Sequence, residues 1–109
     1  MPRKRPLTRE EISARRAEVT RKAFRGELRF PEALREIRQA LGLTQDEFAE
    51  RFGLTRARVI ELEKGRANPT IETLDKICRP FGFVVGFVPR EGASRPPPEF
   101  LDPLQKPTP

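Results

Sequence analysis

The sequence predicts a mainly α fold: a small bundle of short helices with an extra N-terminal helix and a single C-terminal β-strand. Apolar residues recur at spacings of three and four through most of the chain, as at Leu34, Ile37 and Leu41. Thr and Pro before helix formers, and Gly after them, cut that pattern into short blocks. The period changes once, at residues 81–88, where Phe-Gly-Phe-Val-Val-Gly-Phe-Val is rich in aromatic and β-branched side chains.

The chain has 109 residues, enough for one small domain and one modest core. It contains no His, Trp or Tyr and one Cys. His-based acid–base chemistry, His/Cys metal sites and a disulfide framework are therefore excluded, and no cofactor or metal is expected. Nothing resembles a nucleophile–base pair or a glycine-rich phosphate loop, so the chain does not read as an enzyme. The net charge of +6 suggests a polyanion as partner, nucleic acid first and an acidic protein surface second. That excess is unevenly placed. Residues 1–29 hold ten basic and four acidic side chains, residues 30–88 nine of each, and residues 89–109 three of each. The chain accordingly divides into a basic N-terminal helical segment (1–29), a neutral patterned domain (30–88) and a Pro-rich tail (89–109). The basic segment reads equally as an arm on phosphate and as a solvated helix that keeps the protein soluble.

Met1-Pro2-Arg3-Lys4-Arg5-Pro6 begins like a signal peptide, but Thr8-Arg9-Glu10-Glu11 follows instead of an apolar run. Arg3-Lys4-Arg5 is a weak match to a nuclear-localisation run. No stretch of 18 apolar residues offers a membrane span. Cys78 lies among apolar neighbours and reads as a core residue in a reducing cytosol. A cytoplasmic, nucleoid-associated protein is expected.

Taken in order, Thr8 and Glu11 have the spacing of a capping box for a first helix that runs up to Gly26. Its thin stripe of Ile12, Val19 and Ala23 suggests a helix that depends on a partner for order. A second helix is expected over residues 31–41, with Pro31 in its first turn and Gly42 as its stop. Thr44, with Glu47 three residues on, caps a third, whose inner face is Phe48, Ala49 and Phe52 and whose end is Gly53. Thr55 caps a fourth, with Val59 and Leu62 inward, ended by Gly65. Asn68-Pro69-Thr70 opens a fifth, made amphipathic by Ile71, Leu74, Ile77 and Cys78 and stopped by Pro80. A strand over residues 82–88 is closed by Pro89, and its exposed edge needs a partner. Residues 90–109, with six prolines, are expected to be a disordered tail.

The central feature is the pair of short helices joined by Gly53-Leu54-Thr55. A helix, a sharp turn at glycine and a second capped helix form a helix-turn-helix, in which the second helix offers its N-terminal side chains to the major groove. Exposed positions there are Arg56, Ala57, Arg58 and Glu61; Ala49, Leu54, Val59 and Leu62 are the apolar ones. Residues 34–82 resemble the Xre/Cro family, the lambda-repressor-like helix-turn-helix domains. The matching residues are Leu34, Ile37-Arg38, Gly42-Leu43-Thr44-Gln45, Phe48-Ala49, Phe52-Gly53, Glu63-Lys64-Gly65, Asn68-Pro69 and Thr70-Ile71-Glu72-Thr73-Leu74.

The resemblance implies double-stranded DNA as partner, read by helix 55–64, with Thr44, Gln45, Thr55, Arg56, Ala57, Arg58, Glu61, Lys64 and Arg66 as the contacting set. Gln45 would bond a phosphate beside the helix N-terminus. Arg56 suits guanine O6 and N7, Glu61 a cytosine N4 amine and Ala57 a thymine methyl. Arg58, Lys64 and Arg66 would meet phosphate. Outside such a motif Arg56 and Arg58 read as solvated surface charges, and Glu61 is repelled by phosphate unless it finds an amine or pairs with Arg58. Arg38 and Glu63 match a pair that forms an internal salt bridge in the family. Ile60 departs from the family, which usually has a polar residue there, and is expected to pack against the N-terminal helix.

Phe83, Val85 and Phe87 lie on one face of the expected strand, and pairing with a second copy would satisfy its edge with two-fold symmetry. A strand after the helical domain resembles HipB-like antitoxins. A homodimeric transcriptional repressor on a palindromic operator is the expectation, with an antitoxin that also binds and neutralises a toxin protein as the alternative.

Overall fold

A computed structural model describes residues 7–90 of the chain. The basic run Arg3-Lys4-Arg5 and the Pro-rich tail from residue 91 onward lie outside the described residues. The order of elements is α1 (Arg9–Phe24), α2 (Glu32–Ala40), α3 (Gln45–Phe52), α4 (Arg56–Glu63) and α5 (Ile71–Cys78), followed by a 3-10 turn at Arg79–Phe81. Four of these helices begin at a threonine. Thr8 and Thr44 form complete capping boxes with Glu11 and Glu47, while Thr55 and Thr70 accept from the backbone N–H of Arg58 and Thr73. Each cap satisfies a first-turn amide that the helix itself leaves unpaired. α2 lacks a side-chain cap: Pro31 stands before the helix as its boundary residue, and the helix starts at Glu32.

One core joins all five helices. Val19 of α1, Leu34, Ile37 and Ala40 of α2, Phe48 and Ala49 of α3, Val59 and Leu62 of α4, and Ile77 of α5 are all nearly inaccessible. Phe48 and Phe52, one turn apart, pack their rings at 4.7 Å. Gly42 ends α2 with φ of +71°, and a Cβ there would come within 3.0 Å of Ile12 Cδ1, so the glycine lets α1 close onto the α2–α3 turn.

The thin stripe on α1 is supplemented by contacts within the chain. Val19 enters the core, the Arg16 guanidinium lies 4.7 Å over the Phe81 ring and donates to the Pro80 carbonyl, and Lys22 pairs with Glu36 at 3.0 Å. Polar side chains thus do part of the docking that apolar spacing could not announce. α5 departs from expectation at Ile71, which is 73 % exposed; Leu74 and Cys78 are half-buried and only Ile77 is fully inside. Burial pushes the Cys78 thiol above its ordinary pKa, with Asp75 adding to the shift.

The expected strand over residues 82–88 is not formed in the single chain. The segment has no regular secondary structure, and among the described residues no other segment forms a ladder with it. A strand exists through its partner's hydrogen bonds, and the described residues of a single chain supply none. Phe83 is held by its amide, which donates to the Cys78 carbonyl at 3.1 Å, and by stacking on Phe81 at 5.3 Å. Val85 is 41 % exposed and Phe87 fully so.

Candidate nucleic-acid interface

The interface begins with the turn between α3 and α4. Gly53 adopts φ 68° and ψ 33°, a left-handed conformation that reverses the chain after α3 without the penalty a Cβ would carry. Leu54 packs against the core, Thr55 caps α4, and Val59 and Leu62 bury its inner face. The opposite side of the first turn of α4 is left open, and Arg56, Ala57 and Arg58 are all exposed there.

α4 is held from behind by an ion pair. Arg38 Nε of α2 donates to Glu63 Oε2 at 2.6 Å and Nη2 donates to Oε1 at 3.2 Å. Nη1 donates to the Leu43 carbonyl at 3.0 Å, so one guanidinium ties α2, the α2–α3 turn and the end of α4 together. Both side chains are largely shielded, at 12 % and 7 % exposure. Gln45 Nε2 also donates to Glu63 Oε1, at 3.3 Å, which orients the first residue of α3.

The start of α3 is similarly fixed. Glu47 accepts from the Thr44 amide at 2.8 Å and Thr44 Oγ1 accepts from the Glu47 amide at 3.1 Å. The bond from the Thr44 backbone amide first, and the Thr44 side chain second, hold the Glu47 carboxyl below its ordinary pKa. The capping box uses the amides of Thr44 and Glu47, and leaves those of Gln45 and Asp46 at the helix end, where an anion is favoured.

Between α2, α3 and α4 lies a hollow of about 520 Å³, lined by Arg35, Arg38, Thr44, Gln45, Asp46, Arg56, Ile60, Glu63 and Lys64. Thr44, Gln45, Arg56 and Lys64, singled out from sequence, meet here. Arg58 turns elsewhere: its Nη2 donates to the Asn68 carbonyl at 3.0 Å, toward the loop after α4 rather than toward Glu61. Glu61 is half-buried, and Arg66 is exposed on that loop.

Two residues at this surface, Asp46 and Arg35, carried no role in the sequence reading, and a third, Ile60, lies elsewhere than expected. Asp46 Oδ1 stands 3.8 Å from Arg56 Nε, an exposed pair that joins the first turns of α3 and α4. Arg35 lies one turn before Arg38 on α2 and so shares its face; that spacing was the available signal. Ile60 lines the hollow among charged groups, and the expectation that it packs against the N-terminal helix is corrected. α1 is occupied by α2 and the 79–81 turn, leaving Ile60 on the open side of α4.

The comparisons with known proteins match this region. A helix-turn-helix family model covers residues 34–84. An uncharacterized HTH-type transcriptional regulator of Methanothermobacter thermautotrophicus is 51 % identical over 49 residues, 45 % of this chain and 71 % of that protein. One from Archaeoglobus fulgidus is 42 % identical over 48 residues, covering 44 % of this chain and 69 % of its own. The HTH-type transcriptional regulator PuuR of Escherichia coli is 41 % identical over 50 residues, 46 % of this chain and 27 % of that protein. No solved structure matches the chain at a significant level. With α3 and α4 arranged as a helix-turn-helix and these relatives aligned on it, the chain belongs to the Xre/Cro-type helix-turn-helix family of DNA-binding transcriptional regulators.

Proposed function

We propose that the protein is a homodimeric repressor that reads a palindromic operator with α4, acting on DNA in the cytoplasm. The observation that carries the reading is the open first turn of α4. Arg56 and Ala57 are exposed there while the Arg38–Glu63 pair and the Val59 and Leu62 side chains hold the helix from behind. In this arrangement Arg56 reads guanine, Ala57 and Glu61 face neighbouring base edges, and Thr44, Gln45, Thr55, Lys64 and Arg66 hold phosphates. Arg58, bonded to the Asn68 carbonyl, steadies the loop that carries Arg66.

The dimer rests on the apolar side of the domain. Ala23, Leu28, Phe30, Leu34, Leu74 and residues 82–88 enclose a hollow of about 540 Å³. Of its lining, Val84 is 83 % and Phe87 106 % exposed. An apolar face beside a segment with no strand partner among the described residues is suited to a second copy of this chain, in which the same segment pairs across a two-fold axis as in HipB-like proteins. Two copies would then present α4 to half-sites about 34 Å apart.

The test is selection of duplexes from a random library by the full chain, with sedimentation of the protein alone. A palindromic consensus and a dimer at micromolar concentration, lost in Phe87→Glu, are expected. A non-palindromic consensus bound by a monomer overturns the reading. Such a monomer would leave the apolar face to a different protein, as an antitoxin requires.

A further inference from the structure

Ile60 is an apolar side chain in a charged place. It does not join the core or the half-buried residues packed against it, although its neighbours Val59 and Leu62 do. It is half-buried in the hollow beside Arg35, Arg56, Glu63 and Lys64. Isolated surface hydrophobics are common and carry no message by themselves. What separates Ile60 is its position on α4, one turn after Arg56. Helix side chains lean toward the N-terminus, so the surface covered by Ile60 lies over the turn that carries Arg56 and Ala57. That is the end of α4 that enters the groove.

The major groove offers one apolar group to such a side chain, the 5-methyl of a pyrimidine. We infer that Ile60 is a specificity-determining residue that packs against the 5-methyl group of a pyrimidine beside the base read by Arg56. Arg56 then supplies the polar contact and Ile60 the apolar one. The β-branched chain, with its δ-methyl, reaches further from the helix than the single methyl of Ala57, so the two touch different parts of the groove. This inference rests on α4 as the reading helix.

The test uses duplexes selected by the full chain, with binding read by fluorescence anisotropy and thymine replaced by uracil one position at a time. At one position per half-site, loss of the methyl should weaken the native protein about fourfold, the effect of one buried methyl-sized group. Ile60→Ala should bind the thymine duplex correspondingly weakly and be indifferent to uracil there. Cytosine and 5-methylcytosine at the same position distinguish the two natural sources of the group; thymine alone, or both methylated bases, supports the contact. Ile60→Ala should keep the native urea midpoint, because the side chain lies outside the core.

Equal sensitivity of both proteins to uracil, or sensitivity of neither, overturns the inference. Arg56→Ala separates that failure from a failure of the parent reading. If it relaxes base preference while Ile60→Ala does not, only the methyl contact is lost. If neither variant changes base preference, α4 does not read the groove.

Discussion

Arg38 and Glu63 lie 25 residues apart in sequence and form a two-pronged ion pair, 2.6 Å at its shorter contact, behind the helix that faces outward. With 12 % and 7 % exposure the pair is nearly out of water. Removing one partner leaves the other charge buried without compensation, which typically costs about 3–5 kcal/mol. Arg38→Met or Glu63→Leu alone should therefore lower the urea midpoint strongly. The double variant Arg38→Met/Glu63→Leu should recover much of the loss. DNA affinity should follow a different order. The double variant restores stability but frees Gln45 and the end of α4, so it should bind less selectively than the native protein. Equal losses in all three variants would mean that the pair is held in place by its surroundings and orients nothing.

Asp46 faces Arg56 across the tips of α3 and α4 at 3.8 Å, both side chains more than half exposed. An exposed pair of this kind adds at most about 1 kcal/mol to stability. Under the proposed reading its consequence is for the ligand, because the carboxylate engages the guanidinium assigned to a base and adds negative charge at the helix end assigned to phosphate. Asp46→Asn should leave thermal stability unchanged and tighten DNA binding by up to about fivefold at low salt, the gain fading as salt rises. Weaker binding would instead show that Asp46 holds Arg56 in its reading position.

The helix order and most of the core were legible because they rest on local chemistry. Thr44 with Glu47, Gly53 and Thr55 announce the turn between α3 and α4, and the spacing of Phe48, Ala49, Val59 and Leu62 announces the buried faces. What the sequence hid depends on neighbours distant along the chain. The docking of α1 relies on Arg16 over Phe81 and on Ile12 against Gly42, neither of which periodicity reveals. The expected strand rested on side-chain type alone, and β-propensity expresses packing against a sheet that is absent among the described residues. Ile71 fits the helical stripe yet is exposed, since the first turn of α5 extends past the core. At the interface, Arg56 and Arg58 look alike in sequence. Only the fold sends one to Asp46 and the other to the Asn68 carbonyl.

The capping box at α3 gives a pH dependence with a definite sign. The Glu47 carboxyl titrates below its ordinary value in the folded protein because it accepts the Thr44 amide. A lowered folded pKa means that the ionised form stabilises the native state. The contribution is fully present above the carboxylate range of the unfolded chain and disappears as pH falls through the lowered folded value. Urea midpoints of the native protein and Glu47→Gln should differ at neutral pH and converge on acidification. Thr44→Ala removes the other half of the box and should cost about 1 kcal/mol. A Glu47→Gln difference that persists unchanged in acid would locate its effect elsewhere than in the charge.

The positive charge of α1 is separable by position. Deleting the segment would not test it, since Val19 is 3 % exposed within the core and the domain would lose part of its interior. Arg16, Arg21, Lys22 and Arg29 are engaged with the Pro80 carbonyl, Glu18, Glu36 and the Gly26 and Pro89 carbonyls. Arg9 and Arg25 are exposed at opposite ends of a helix of 16 residues, a separation of about 24 Å. Ile12 against Gly42 sets the Arg9 end beside the turn that leads into Thr44 and Gln45, whereas the Arg25 end adjoins Gly26, near Val88. Of the two ends, the Arg9 end is the one placed for a phosphate contact from α1, and the exposed Arg15 lies between them. Arg9→Gln should reduce the slope of log affinity against log salt by about 0.9, and Arg25→Gln should leave it unchanged. Both should fold with native stability, because neither side chain is buried. Identical slopes for all three proteins would leave the charge at both ends of α1 solvated, with no share in binding.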